Sequence, residues 1–355
     1  MVHGRASTTA ILLCNLGTPD EPTPSAVRRY LRQFLSDPRV VEIPRAAWLP
    51  ILYGLILPLR SAKSAAKYAS IWMPEGSPLK VWTSRQAQAL QAAMVAAGHD
   101  VRVRYAMRYG APSIPSQLDA LKAEGVTRVL VLSAYPQYSG TTTASLVDDI
   151  GDWSRRVRTV PELRFVHRYH DDVGYIGALA SRIEEHWAKN GRPDHLVMSF
   201  HGVPERTLQL GDPYHCECHK TARLLAERLQ LPASAFTVAF QSRFGRAKWL
   251  EPATEPTLRK LAREGVAKVD VVCPGFTSDC LETLEEIAQE GRDAFLTGGG
   301  KTFGYVPCLN DDPPWIDALC SIAVRNLGGW PTTTPANREE SRASRERALA
   351  LGATS

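Results

Sequence analysis

His201 stands directly after a run of strand character in VMSFHGVPERT, and Glu282 opens a helical pattern after the breaker CPG and the segment FTSDCL. An imidazole in such a place titrates near neutral pH, so it can accept a proton or hold a metal ion. Glu286 and Glu290 continue from Glu282 at i,i+4 spacing, which sets three carboxylates on one face of an α-helix. Such like-charged pairs cost only a few tenths of a kcal/mol each on a solvated helix. With Asp279 just ahead of them, these carboxylates read either as an acidic exposed face or as a path for a divalent cation and its protons. Imidazole with carboxylate suits ferrous iron and lacks the thiolate softness that selects copper or zinc.

Two other segments carry groups of chemical interest. His215-Cys216-Glu217-Cys218-His219 places four metal-binding types in five residues, but C-x-C lacks the C-x₂-C turn of zinc sites and no second cysteine pair follows at suitable spacing. Ser139 to Thr143 offers backbone N–H groups at a helix start to an anion, without the lysine of a P-loop.

The elements that must position these residues are short β-branched runs alternating with helical patterns: residues 10–14, 101–105, 129–132, 163–166, 195–200, 236–240 and 269–272. That alternation predicts parallel α/β sheets, whose ligands sit beyond the carboxyl ends of the strands. With 355 residues the chain is expected to hold two cores. An internal repeat supports this. Leu121, Glu124, Gly125, Val126, Val129 and Val131 match Leu261, Glu264, Gly265, Val266, Val269 and Val271 at an offset of 140. Arg108-Tyr109-Gly110 matches Arg243-Phe244-Gly245 at 135, and Gly17-Thr18-Pro19 matches Gly202-Val203-Pro204 at 185. The last of these sets apolar Leu16 opposite His201, as two walls of one cleft. The expected domains are 8–155 and 156–330, each with a parallel α/β sheet, with a polar mobile tail at 331–355.

The first half also carries an insertion, within about residues 20–80, that holds AAWLPILYGLILPLR. Pro50 and Pro58 limit regular helix there, so the segment is expected as an apolar lip or exposed loop, suited to a flat hydrophobic ligand or a membrane face. It is well short of the roughly 18 to 20 apolar residues that span a bilayer. The net charge of +5 is spread along the chain, which disfavours nucleic acid as a partner. Seven cysteines are an odd number and argue against a disulfide framework. With no targeting segment visible in MVHGRASTTA, the cytoplasm is the expected compartment.

Taken together, NLGTP, RYG, YPQYSGTTT, SFHGVPE, QSRFGRAKWLEP and CPGFTSDCLETLEEI, in this order across roughly residues 10–328, strongly resemble the ferrochelatase family. The resemblance implies a pseudo-symmetric pair of Rossmann-like domains with a porphyrin between them, and insertion of Fe²⁺ with release of two protons to form protohaem. Iron is then a substrate and no cofactor is required. By the same resemblance His201 and Glu282 are the iron-site residues, and Asp279, Glu286 and Glu290 belong to a carboxylate path. Leu16, Arg108, Tyr109, Trp249 and Phe276 match pocket-lining positions, and Arg60, Lys63 and Ser77 match positions associated with the porphyrin propionates. Some relatives hold a two-iron, two-sulfur cluster. Here Gly140 replaces its first cysteine and no cysteine follows Cys320, so the cluster is expected to be absent. The alternatives are a coproporphyrin ferrochelatase, a cobalt chelatase, or a non-catalytic porphyrin carrier.

Overall fold

The computed structural model describes residues 8–243, 245, 247–333 and 338–353. The opening MVHGRAS and Phe244 of the RFG motif lie outside the described residues. Two four-stranded parallel sheets make up the frame. The first is built from β1 (Thr8–Gly17), β2 (Arg102–Tyr109), β3 (Val126–Ser133) and β4 (Glu162–Val166), in the order β2-β1-β3-β4. The second is built from β5 (His195–His201), β6 (Phe236–Gln241), β7 (Lys268–Val272) and β8 (Thr302–Tyr305), in the order β6-β5-β7-β8. The orders correspond strand for strand, as the repeat requires.

Register makes the correspondence exact at the residue level in two places and corrects it in a third. Ala10 pairs with Val129 and His195 with Val269, so the offsets of 185 and 140 hold and Leu16 does match His201. However, Ile11 pairs with Val103 while Leu196 pairs with Phe236, an offset of 133 rather than 135. Arg108 therefore corresponds to Gln241, not to Arg243. Arg243 stands two residues further along the chain than that counterpart.

Alternation along each strand sorts its side chains between two layers. Ile11, Leu13, Leu130 and Leu132 of the first sheet face the same cluster as Leu196, Met198, Phe200 and Phe240 of the second. The helices Pro78–Ala96, Val173–Asn190, Tyr214–Arg228 and Pro313–Leu327 contribute Leu90, Tyr175, Leu225 and Trp315 to it. The opposite faces carry smaller, separate clusters around Leu12 and Val131 and around Val197 and Val271. The largest core is thus shared between the halves, where two independent ones were expected. The boundary expected at 155/156 also shifts: Glu162–Val166, assigned by pattern to the second half, pairs with β3 and closes the first sheet. β8 escaped the sequence reading because TFGY is four residues long and mostly half-buried, which leaves little periodicity.

The insertion is helical despite its prolines. Arg45–Ile51 carries Pro50, a π-helical turn follows over Leu52–Ile56, and Leu57–Ile71 begins with Pro58 in its first turn, where a missing N–H costs nothing. Trp48, Leu52 and Leu57 are buried, while Ile51, Tyr53, Leu55 and Leu59 are exposed. Among the described residues no helix is long and apolar enough to cross a membrane. The tail also differs from expectation: Arg338–Ala350 is an α-helix, with Arg342 and Glu346 paired one turn apart at 3.1 Å. Its run of Arg, Glu, Ala and Leu has high helix propensity, which outweighs the lack of an apolar face.

Gly17 ends β1 at φ +114°, and a Cβ there would stand 1.7 Å from the carbonyl oxygen of Tyr109 on β2. Both the backbone conformation and the space demand glycine. Gly17→Ala is therefore expected to destabilise the protein by at least about 2–3 kcal/mol. Urea unfolding should show a lower midpoint at unchanged slope, and an unchanged midpoint would refute this account.

Candidate active site

The segments at the carboxyl ends of β1, β3, β5 and β7 touch one another. From the first half, Leu16 packs with Val27, Tyr30, Ala65, Tyr68 and Tyr109, and Leu281 of the second half joins the same cluster. Glu282 is thereby held at the junction of the two halves. The loop leading to it is fastened from the first half: the Gln86 amide donates to the carbonyls of Thr277 (2.8 Å) and Asn310 (2.7 Å), and the Thr277 hydroxyl donates to Ala134 O at 3.0 Å.

On the other wall, β5 ends at half-buried His201. Its Nδ1–H donates to Gly202 O at 2.7 Å, which leaves Nε2 as the acceptor nitrogen. The Phe276 ring lies 6.4 Å away, centre to centre. Trp249 presses on the backbone of Gly202, where a Cβ would stand 3.2 Å from the indole and 2.6 Å from Gln241 O. Gln241, the counterpart of Arg108, donates its amide to Glu282 O at 2.6 Å. Next to it, Ser242 donates its N–H (2.6 Å) and its hydroxyl (2.5 Å) to the two carboxylate oxygens of Glu286. Burial pushes the Glu286 carboxyl above its ordinary range, opposed by the Ser242 hydrogen bonds and by His201, with Glu282 adding to the rise. His201, Glu282 and Glu286 are thus one electrostatic group.

Glu290 is placed differently from the even i,i+4 row. After Leu281–Leu284 the helix widens to a π-helical stretch over Glu286–Gly291, and Glu290 N–H reaches the carbonyl of Glu285, five residues back, at 3.0 Å. The carboxylates of Glu285 and Glu290 consequently share the ammonium of Lys67, at 2.8 Å each, from the inserted helix Leu57–Ile71. Asp279 is buried and fully engaged: it accepts from Asn310 (2.7 Å), Thr283 (3.2 Å), Cys308 N–H (3.3 Å) and the Tyr305 hydroxyl. It shapes the loop that presents Glu282.

Arg108 and Tyr109 are tied to a residue that the sequence did not single out. Asp37 accepts from the Ser145 hydroxyl (2.6 Å), Arg108 (2.7 Å) and the Tyr109 hydroxyl (2.8 Å). Tyr109 is only 2% exposed, so it backs the wall rather than forming its surface. Ser77 is buried too, its hydroxyl 2.7 Å from that of Thr18 beside Gly17. Arg60 and Lys63 lie on the exposed side of the inserted helix. The anion loop has its own carboxylate: Gly140 N–H donates to Asp212 at 2.6 Å.

Tyr30, Tyr68 and Tyr135 also escaped the sequence reading. Burial, and after it neighbouring charges that include Glu282, pushes all three phenols well above their ordinary range, so they are neutral donors. The Tyr135 hydroxyl is buried with no hydrogen-bond partner among the described residues. Tyr135 lies in the YPQYSG motif just past β3, where the strand-end rule would have found it; Tyr30 and Tyr68 sit in the insertion, which has no counterpart in the repeat.

The ferrochelatase family profile matches residues 8–327 of this chain. A ferrochelatase of Polaromonas sp. is 66% identical over 99% of this chain and 97% of its own length, and one of Methylibium petroleiphilum is 65% identical over the same shares. The chain belongs to the ferrochelatase family. Among solved structures, SirB of Bacillus subtilis with Fe³⁺ superposes with a TM-score of 0.51 at 12% identity, over 92% of this chain and all of SirB. A multi-domain Deinococcus radiodurans protein with structural similarity to chelatases gives 0.53 at 11% identity, over 97% of this chain and 60% of its own. At such identity these two show the fold alone, and it is the duplicated chelatase-like α/β fold.

In this ferrochelatase-family chain the Asp37 knot yields a pH prediction. Burial would raise the Asp37 carboxyl, but hydrogen bonds from Ser145, Arg39 N–H and Tyr109 and the charge of Arg108 outweigh it and hold it below its ordinary 3.8. A carboxyl lowered in the folded state adds stability above the unfolded value and loses it as pH falls through the folded one. Asp37→Asn should cost about 3 kcal/mol at pH 7. The gap to the parent protein should close as urea unfolding is repeated at pH values descending below 3.8; a gap constant with pH would contradict the assignment.

Proposed function

We propose that His201 is the proton acceptor of iron insertion and that Glu282 and Glu286 receive the metal and carry protons away. As a ferrochelatase the enzyme inserts Fe²⁺ into protoporphyrin, the metal-insertion step of haem synthesis. The reaction exchanges two pyrrole N–H protons for one ferrous ion, so the site must supply bases near the macrocycle nitrogens and ligands that replace the waters of the ion. Nε2 of His201, freed for this by the Nδ1 bond to Gly202, is the base. Glu286, whose burial favours the neutral form while Ser242 and His201 favour the anion, is poised to take up and pass on a proton. Glu282, at the junction of the halves, holds the ion on the way in. Lys67 keeps Glu285 and Glu290 paired further along the same helix.

The observation that carries this reading is the asymmetry of the duplicated cleft. Leu16 and its aromatic neighbours offer a greasy wall for a flat ring, while His201, at the equivalent place in the second half, supplies an imidazole nitrogen. In this reading Leu16, Trp249 and Phe276 hold the macrocycle, Tyr109 backs that wall through its bond to Asp37, and Arg60 and Lys63 serve its propionates. An anaerobic assay of metalloporphyrin formation tests the roles. His201→Ala is expected to lower kcat by about 100-fold or more while porphyrin binding, read by fluorescence quenching, persists. Glu282→Gln is expected to act mainly on the dependence on Fe²⁺ concentration. Full turnover by either variant would remove that residue from the mechanism.

We further place the enzyme in the cytoplasm with the inserted lip against the membrane face. Ile51, Tyr53, Leu55 and Leu59 are exposed together over two helical turns, a patch that a lipid surface would cover. Co-sedimentation with phospholipid vesicles should fall severalfold in Leu55→Asp/Leu59→Asp, and equal sedimentation would exclude the lip as the contact.

A further inference from the structure

The segment His215 to His219 takes no part in the site above, and the fold separates its side chains in a way the sequence could not. It forms the first turns of the helix Tyr214–Arg228. Cys218 is buried in the core and Cys216 is exposed, so the two thiols point apart. Glu217 is also turned inward, where Arg168 (2.6 Å) and the N–H of Tyr138 (2.7 Å) occupy its oxygens. What remains is a histidine pair one turn apart. The rings of His215 and His219 lie 4.4 Å apart, centre to centre.

Both rings rest on the buried ring of Phe240, His215 stacked at 5.9 Å and 19° and His219 at 6.2 Å. That aromatic floor limits their rotamers, so the donors are held close before any ligand arrives. With metal–nitrogen bonds of about 2.1 Å, two imidazoles meeting one ion at a right angle have ring centres about 4.5 Å apart. The observed separation fits chelation of a single ion.

We propose that His215 and His219 form a two-histidine surface site for a divalent transition metal of the Ni²⁺, Cu²⁺ or Zn²⁺ class, with water completing the coordination. Two neutral nitrogen donors without a carboxylate favour these ions over Mg²⁺ or Ca²⁺, and Cu²⁺ over the others. Among the described residues no cluster of three or more His, Cys, Asp and Glu side chains is arranged to hold a metal, so the pair acts without a third protein ligand. The site is separate from the insertion centre. Its floor, Phe240, contacts Phe200, and Phe200 projects from the opposite face of β5 to the neighbouring His201.

Calorimetric titration of chelator-treated protein with Ni²⁺ tests the proposal, in a His201→Ala background that disables the insertion centre. That protein should bind one equivalent, and adding His219→Ala, or His219→Gln as a second variant, should weaken binding by about 100-fold, as when one of two tethered donors is lost. His219 is exposed, so both variants should keep the parent circular dichroism. With His201 intact, His219→Ala should insert iron at the parent rate. Absence of Ni²⁺ binding in the His201→Ala protein, or equal affinity with and without His219, would overturn the proposal.

Discussion

The shared apolar core between the two sheets is the constraint on which the cleft depends. Leu13 and Leu132 from one sheet and Met198, Phe200 and Phe240 from the other lose their solvent against the same layer of helices. A fully buried side chain of this size contributes roughly 2 kcal/mol relative to an exposed one, so neither half can turn away without exposing tens of such groups. Strand direction is parallel within each sheet, and the strand ends are the polar edge of that core. Fixing the layers fixes which edges meet, and the bonds from Gln86 and Thr277 across the halves then set the height of the loop before Glu282.

Within that frame, duplication supplies position and divergence supplies chemistry. Leu16 and His201 occupy one place in the repeat, and Arg108 and Gln241 another. In the first half Arg108 is spent on Asp37, which steadies the wall. In the second half Gln241 is spent on the backbone of Glu282, which steadies the carboxylate. Each half has its own anchor at the same point, the first on a carboxylate side chain and the second on the backbone of one.

The π-helical stretch after Leu284 shows how a local change of helix pitch redistributes charge. An unbroken α-helix would carry Glu282, Glu286 and Glu290 as one row of like charges. Widening the turn brings Glu290 beneath Glu285, where Lys67 neutralises both, and leaves Glu286 to Ser242 beside His201. Repulsion along the row is thereby exchanged for two partnered groups, one of them reaching the inserted helix of the opposite half.

Much of this was legible in the chain itself. Parallel α/β sheets, the duplication, and the equivalence of Leu16 and His201 follow from β-branched runs and constant offsets, because strand period and strand-to-helix order are local properties. The motif set carried the family. What the sequence left open required long-range pairing. The two-residue slip that matches Arg108 to Gln241 is a matter of ladder register, and β8 is too short to show its period. The joint core is decided by which sheet faces meet, the role of Asp37 by three donors from distant elements, and the parting of Cys216 from Cys218 by which side of one helix is buried. Residue types and spacing determined the chemistry available to this protein; burial and register decided which of those groups face one another.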